Sequence, residues 1–270
     1  MPEIHLIDLK DKYFRKRMDG HFSDELLERM NETLANNEQI MLFQNRRGYS
    51  PYIECTTCGH VPQCPSCDVS LTYYKYKNHL KCHYCGHNMA KPTHCHACNS
   101  LDISAKGFGT EQVELELVKL FPNKRIARMD QDTTRGKFGF EKIIDSFKNQ
   151  EIQILVGTQM LAKGLDFNNV SLVGIMNADT MLYHPDFRAF ERSFQMMTQV
   201  AGRSGRRDKR GKVVVQTGDP EHWVIEKVIQ HDFVGFFNAE IMERKNFFYP
   251  PFYKMIEITL KHKNEHELNR

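Results

Sequence analysis

Short apolar runs alternate with amphipathic stretches along most of the chain. Ile4–Leu9 alternates apolar and polar residues and predicts a strand, whereas 10–22 is charged and irregular. Leu26, Leu27, Met30 and Leu34 recur at helical spacing behind Ser23, a suitable N-cap, and predict an amphipathic helix over 24–36. Ile40–Phe43 predicts a short buried strand, after which 45–51 turns the chain. A strand over 101–106 leads to a helix with Thr110 as N-cap and Val113, Leu117, Leu120 and Phe121 as packing positions. Strands over 125–129, 152–156, 170–176 and 211–216 then alternate with helices over 138–147 and 187–200. Helices over 222–229 and 233–244 follow, the second with Phe236, Phe237 and Ile241 on one side. Residues 247–252, Phe-Phe-Tyr-Pro-Pro-Phe, break the pattern as a linker would, and 254–260 alternates like the first strand of a further unit. Strand, helix, strand, helix is the rhythm of an α/β fold, a parallel sheet with flanking crossover helices. In such sheets ligands sit at the carboxyl ends of the strands.

Composition narrows the class. A length of 270 residues holds one or two domains, and 26% charged with 40% hydrophobic residues is ordinary for a globular protein. A net charge of +3 does not by itself announce nucleic acid. The basic residues are clustered, however: Arg203, Arg206, Arg207, Lys209, Arg210 and Lys212 fall within ten positions. No apolar run approaches the ~20 residues that span a bilayer, and the opening Met-Pro-Glu-Ile lacks the parts of a signal peptide. A cytoplasmic chain with no membrane partner is expected.

The eight cysteines form four Cys-x-x-Cys pairs: Cys55/Cys58, Cys64/Cys67, Cys82/Cys85 and Cys95/Cys98. A two-residue gap lets both thiolates reach one metal, and four thiolates close a tetrahedral zinc site. Eight ligands therefore predict two structural zinc ions. Disulfides are the rival, but no secretion signal accompanies them; iron–sulfur ligation is a second rival. Closed four-cysteine sites leave no position for a substrate. Spacing alone does not say which pair joins which. The 14 residues between Cys67 and Cys82 suffice for a small hairpin over 69–80, which favours Cys64, Cys67, Cys82 and Cys85 as one site. Cys55, Cys58, Cys95 and Cys98 would then close a second. Adjacent pairing would crowd two knuckles around the 59–63 gap, and a crossed pairing stays open. His60, His79, His83, His87, His94 and His96 crowd the region as outer-sphere or surface groups. Tyr73, Tyr74 and Tyr76 interleave with Lys75, Lys77 and Lys81 on the hairpin. That mixture suits stacking on single-stranded bases with Lys75 and Lys77 on the backbone, or a small core built from tyrosines.

Two further stretches carry the chemistry. Residues 154–167 read Ile-Leu-Val-Gly-Thr-Gln-Met-Leu-Ala-Lys-Gly-Leu-Asp-Phe, and 199–206 read Gln-Val-Ala-Gly-Arg-Ser-Gly-Arg. Arg203 and Arg206 share one face if the segment is helical, and guanidinium groups suit phosphate. Gly202 and Gly205 admit a close approach. Together the stretches resemble motifs V and VI of superfamily 2 helicases. With the cysteine pattern, the chain is similar from Pro2 to about Phe252 to the bacterial replication-restart helicase family, PriA or primosomal protein N′.

The resemblance implies a RecA-like second helicase lobe over 1–54 and 99–246, a zinc-binding insertion over 55–98, and a linker with the start of a C-terminal domain over 247–270. It implies the nested zinc arrangement. It assigns Arg203 and Arg206 to the γ-phosphate of ATP, Arg206 as arginine finger, with Gln199 beside them. Asp166 would approach the ribose, Gly164 would let the loop bend, and Thr158 would touch a phosphate of the tracked DNA strand. Arg46 and Arg47, just past a strand end, are candidate DNA contacts. ATP and Mg2+ are implied cofactors; forked or single-stranded DNA, primosome proteins and single-strand-binding protein are implied partners. The chain lacks a Gly-rich loop ending in Gly-Lys-Ser/Thr and an Asp-Glu strand end. In the family those parts belong to another lobe, so the chain alone is expected neither to hydrolyse ATP nor to unwind DNA. Two other classes compete: a zinc-stapled nucleic-acid-binding module on an inert scaffold, and a protein-interaction domain.

Overall fold

A computed structural model describes residues 2–44, 52–67, 69–74, 78–82, 85–106, 109–130, 133–134, 139–162, 167–204 and 211–256. In chain order it contains β1 (Glu3–Asp8), α1 (Leu9–Phe14), β2 (Met18–Asp19), β3 (Phe22–Ser23), α2 (Asp24–Ala35) and β4 (Gln39–Phe43). Then come β5 (Tyr52–Cys55), β6 (Thr72–Tyr74), β7 (His79–Lys81), β8 (Asn88–Ala90), β9 (Ile103–Lys106) and α3 (Thr110–Leu120). They are followed by β10 (Ile126–Met129), α4 (Gly139–Lys148), β11 (Ile154–Gly157), a 3-10 turn (Gln159–Ala162), β12 (Val170–Ile175) and α5 (Asp179–Leu182). Last are α6 (Ala189–Ala201), β13 (Lys212–Thr217), α7 (Trp223–Ile229) and α8 (Phe233–Asn246).

Six strands form one sheet in the order β1-β13-β12-β4-β11-β10, and all neighbouring pairs in it are parallel. Parallel strands need crossover segments, and those segments cover both faces. The alternation of side chains assigns each strand residue to a face. Met41, Phe43, Leu155, Val173, Ile175, Val213 and Val215 join one core with Phe147, Phe194, Met197, Val200, Val224 and Phe236. Ile40, Leu42, Ile154, Val156, Leu172 and Val214 join the other with Leu26, Met30, Val113 and Leu117. The expected α/β sheet is therefore present, with α2 and α3 against one face and α4, α6, α7 and α8 against the other.

Some local expectations change. The 10–22 stretch, read as irregular, contains α1 and the β2–β3 pair. Asp8 starts α1 by accepting from the N–H groups of Lys10 and Asp11, a capping signal that the short apolar run concealed. Thr110 is not the N-cap of α3: Gly109 is, and Thr110 Oγ1 instead donates to Asp130 Oδ2 at 2.7 Å. That bond ties the start of α3 to the end of β10. Of the three apolar positions expected on one side of α8, only Phe236 is buried, while Phe237 is 52% exposed, because neighbouring positions point about 100° apart. Ser23 does cap α2, accepting from Leu26 N at 3.3 Å. Residues 254–256 form no strand, and 257–260 lie outside the described residues.

Buried polar groups lock the connections. Gln216 is fully buried in β13. Its Oε1 accepts from Ser23 N at 2.9 Å, and its Nε2 donates to His21 O and Met176 O, both at 3.0 Å. One side chain thereby fixes the β2–β3 pair to the ends of β12 and β13. Gln216→Leu keeps the volume but strands three backbone groups, so urea denaturation should show a loss of about 3 kcal/mol or more. A loss under about 0.5 kcal/mol would mean that water replaces the amide.

His222 caps α7, its Nδ1 accepting from Val224 N at 3.2 Å. Its ring lies edge-on to those of Tyr183 and Phe190, at 6.0 and 5.3 Å. Burial disfavours the imidazolium and lowers the pKa below the ordinary 6.5, while Asp219 opposes the shift. The native state thus favours neutral His222. Its contribution is complete above pH 6.5 and is lost as pH falls through the lowered native value. His222→Asn retains a capping acceptor, so the variant should lose less stability than the wild type on acidification below pH 6.5. Parallel pH–stability curves for the two would contradict this.

Candidate functional site

The metal-binding region leaves the sheet after β4 and returns through β9. β5 and β9 pair antiparallel, bringing Cys55 opposite Ile103. Beyond that pair, β6, β7 and β8 form a three-stranded antiparallel sheet. The predicted hairpin is thus extended by a third strand. Its apolar cluster is small: Ile53, Cys64, Val69, Leu71, Tyr73, Leu80 and Cys82. The two tyrosines expected to share a role divide by alternation along β6. Tyr73 is buried and donates to Asn78 Oδ1 at 3.0 Å, while Tyr74 is 38% exposed and stacks on His79 at 5.3 Å. One tyrosine of β6 thus serves the small core, and the next presents its ring at the surface.

The thiols fall into two groups of four, Cys55, Cys58, Cys95 and Cys98, and Cys64, Cys67, Cys82 and Cys85. Within each group the sulfurs lie within 4.8 Å of one another. Cys55–Cys98 and Cys58–Cys95 approach to 3.6 Å, and Cys64–Cys85 to 3.5 Å. A tetrahedron of ~2.3 Å Zn–S bonds has edges of about 3.8 Å, so the spacing fits zinc. Backbone N–H groups point at the sulfurs: Ala97 N lies 3.4 Å from Cys95 Sγ, and His87 N 3.4 Å from Cys85 Sγ. The His87 N–H is the main cause that lowers the Cys85 thiol to about 7. Burial raises Cys55, but N–H donation from Cys58 and Thr57 outweighs it and holds the thiol at about 6. Burial and the neighbouring Cys85 raise Cys67. Four sulfurs at this spacing suit a dication, which binds them as thiolates. The two clusters suggest two zinc sites. Among the described residues no histidine joins either group.

The other predicted residues are distributed between two edges of the sheet. Thr158 directly follows β11 at the carboxyl edge. It is 1% exposed, and its Oγ1 has no hydrogen-bond partner among the described residues. Gly157 has a packing reason: a Cβ there would come within 2.8 Å of Met129 O and 2.7 Å of Leu161 Cγ. After Thr158 the chain must cross to the amino edge before β12 begins. α6 makes the same crossing between β12 and β13. The Gln159–Ala162 turn contacts α6, and Leu161 and Phe167 share one core with Met197, Val200 and Ala201. Gln199, in the last turn of α6, and Arg203 beyond it therefore lie toward the amino edge.

The helix does not continue through the arginines. α6 ends at Ala201 with Gly202 as C-cap, and tighter bonds follow, Arg203 N to Val200 O at 3.0 Å and Ser204 N to Ala201 O at 3.2 Å. Arg203 thus sits in a turn rather than on the helical face that the three-residue spacing suggested. Arg46, Arg47, Lys75, Lys77, Gly164, Asp166 and Arg206 lie outside the described residues.

Sequence reasoning missed two features at the carboxyl edge. Asp179, which opens α5, is buried, and burial raises its pKa against hydrogen bonds from the Thr217 hydroxyl and Gly218 N, the latter at 2.7 Å. It borders a cavity of about 920 Å³ whose wall also holds Asp8, Lys10, Asp11, Glu54 and Asp102. Lys10 spans part of this space to donate to Cys58 O at 3.0 Å. Secondly, the 247–252 segment read as a linker is held at Tyr249, which is 8% exposed and donates to Cys67 O at 2.5 Å. Neither feature has a short-range signal, because each joins residues far apart in sequence.

Two separate thiol groups give a direct test. Elemental analysis of the purified chain should return two zinc ions, and Cys67→Ala should return one. Chelation should abolish the β6–β8 amide protection while leaving the six-stranded sheet protected, since the metal region has only a small core of its own. Iron in place of zinc, or both metals lost in Cys67→Ala, would break the assignment.

Residues 64–89 match the PriA DNA helicase Cys-rich region domain, and residues 105–208 match the helicase conserved C-terminal domain. Replication restart protein PriA of Bacillus subtilis (strain 168) is 47% identical over 262 residues, covering 97% of this chain and 32% of that protein. The Haemophilus influenzae protein of the same name is 41% identical, covering 92% of this chain and 33% of its own length. That of Synechocystis is 39% identical, covering 100% and 33%. No helix among the described residues is long and apolar enough to cross a membrane. Over nearly its whole length the chain is similar to PriA replication restart proteins, and it spans about one third of the length of the curated relatives it matches.

Proposed function

We propose that this chain supplies the second motor lobe of an ATP-dependent DNA helicase that restarts stalled replication forks and loads the primosome. In this reading 1–54 and 99–246 form the lobe, 55–98 the zinc module, and 247–270 a link into a further domain. The observation that carries the proposal is the pair of adjacent crossings. The Gln159–Ala162 turn packs on α6, Leu161 and Phe167 share its core, and the connection after β11, like α6, must lead from the carboxyl to the amino edge of the sheet. One rigid layer would therefore connect a DNA edge, at Thr158, with a nucleotide edge, at Gln199 and Arg203. The buried, unpartnered Thr158 hydroxyl supports a polar ligand at the first edge.

At the second edge, Arg203 and Arg206 would meet the γ-phosphate of ATP bound with Mg2+ on another lobe. Asp166 would meet the ribose, with Gly164 giving the loop its bend. Arg206 would stabilise the charge that develops as the phosphoryl group transfers. Gln199 would hydrogen-bond beside it. Arg46, Arg47, Lys75 and Lys77 would neutralise the backbone of forked or single-stranded DNA, with the exposed Tyr74 ring for base stacking. Primosome proteins and single-strand-binding protein would be the protein partners, met through the zinc module. The cytoplasm is the compartment this implies.

The experiment exchanges this chain for the matching third of Bacillus subtilis PriA. The chimaera should hydrolyse ATP in the presence of forked DNA. Arg206→Ala should lower that rate by roughly 10³-fold, the usual worth of such an arginine. The isolated chain should show no hydrolysis. Turnover by the isolated chain that survives Arg206→Ala, or full turnover of the chimaera carrying that change, would overturn the reading.

A further inference from the structure

The two ends of α6 have different neighbours. Its last turn leads to Gln199 and Arg203. Its start is fastened to the metal-binding module through a cluster that spans residues far apart in sequence. Phe187, two residues before α6, packs against the apolar cluster of the module. Its ring stacks on Tyr249 with centroids 4.7 Å apart and an interplanar angle of 15°. The Arg244 guanidinium lies over the same Phe187 ring at 5.3 Å.

Arg244 also makes three directed bonds. Nη2 donates to Glu191 Oε2 on α6 at 2.6 Å, Nε to Glu240 Oε1 on α8 at 3.0 Å, and Nη1 to Pro250 O at 3.4 Å. The Arg244 side chain is 14% exposed and that of Glu240 only 8%. A charge held this far from water is costly to leave unpaired, so the cluster is discrete rather than loosely adjustable. From Tyr249 the path continues to the metal. The phenol donates to the carbonyl of Cys67, whose sulfur belongs to the group with Cys64, Cys82 and Cys85. A continuous chain of contacts thus runs from that thiol group, through Tyr249, Phe187 and Arg244, into α6.

We propose that Tyr249 and Arg244 are positioning residues that fasten the start of α6 to the Cys67 knuckle. Metal loading at Cys64, Cys67, Cys82 and Cys85 then sets the order of the far end of α6. When that site is filled, the Cys67 carbonyl is held in place, Tyr249 is fixed by its hydroxyl, and Phe187 and Glu191 have rigid partners. When it is empty, the knuckle loosens, and the loss reaches the helix that carries Gln199 and Arg203. The consequence for ATP hydrolysis rests on the motor reading above. The coupling itself does not, because it is read from helix order in the chain alone, so the two can fail separately.

The test is amide hydrogen exchange over Phe194–Ala201, in the zinc-loaded and the zinc-stripped chain. Stripping should raise exchange in the wild type. Tyr249→Phe keeps the stacked ring and removes only the bond to Cys67. It should raise the loaded-state exchange toward the stripped level, leave the stripped-state exchange unchanged, and so shrink the metal-dependent rise by roughly threefold. A purely structural tyrosine would instead raise exchange equally in both metal states, and that result overturns the proposal. So does a wild-type helix indifferent to zinc, or a full rise in Tyr249→Phe. If Tyr249→Phe fails to hold its zinc, Glu191→Gln carries the test, since it cuts the path at α6 away from the metal. The same reduction is expected there, and an unreduced rise overturns the proposal.

Discussion

Parallel pairing is the constraint on which the rest depends. A parallel strand cannot be followed directly by its neighbour, so each connection must carry the chain from one edge of the sheet back to the other. Both faces are then covered, and β4 and β11 are buried at every position. The same rule explains the placement of the functional segments. The stretch after β11 and helix α6 are both such return paths, and both lie on the same face. The contact of the Gln159–Ala162 turn with α6 is thus a consequence of topology.

The metal-binding region solves a different problem. It adds three short strands and only a small apolar cluster, in which two of the seven fully buried members are cysteines. Such a cluster cannot offset the entropy of ordering the loops around it. Two four-sulfur groups supply the missing constraint. They also explain why the region can sit at the end of β4 without disturbing the sheet: its neck, β5 with β9, pairs with itself. Among the described residues, polar and aromatic contacts from Lys10, Tyr183, Phe187 and Tyr249 link the region to the rest of the fold.

Much of this was legible in the chain. The strands of the sheet were readable because their apolar runs are short and bounded, and α2 because Ser23 and the Leu26–Leu34 spacing agree. Four Cys-x-x-Cys pairs announced two metal sites, since the spacing itself carries the chemistry. The nested grouping was not readable from spacing, because several pairings close loops of acceptable length. Thr110 was misplaced because a cap and a long-range hydroxyl bond to Asp130 look identical in sequence. The α1 helix was hidden by its brevity. The Phe187–Tyr249–Arg244 cluster was invisible, since its members gain meaning only when residues about 60 positions apart meet.

The measurement that tests the account most directly separates the two edges. Amide hydrogen exchange would be recorded on the Bacillus subtilis PriA chimaera carrying this chain, with a non-hydrolysable ATP analogue or with single-stranded DNA, each alone. The account predicts that the nucleotide protects the Gln199–Arg206 segment while DNA protects the amides around Thr158. Protection of both segments by DNA alone, with none from the nucleotide, would contradict it and leave the chain a nucleic-acid-binding scaffold.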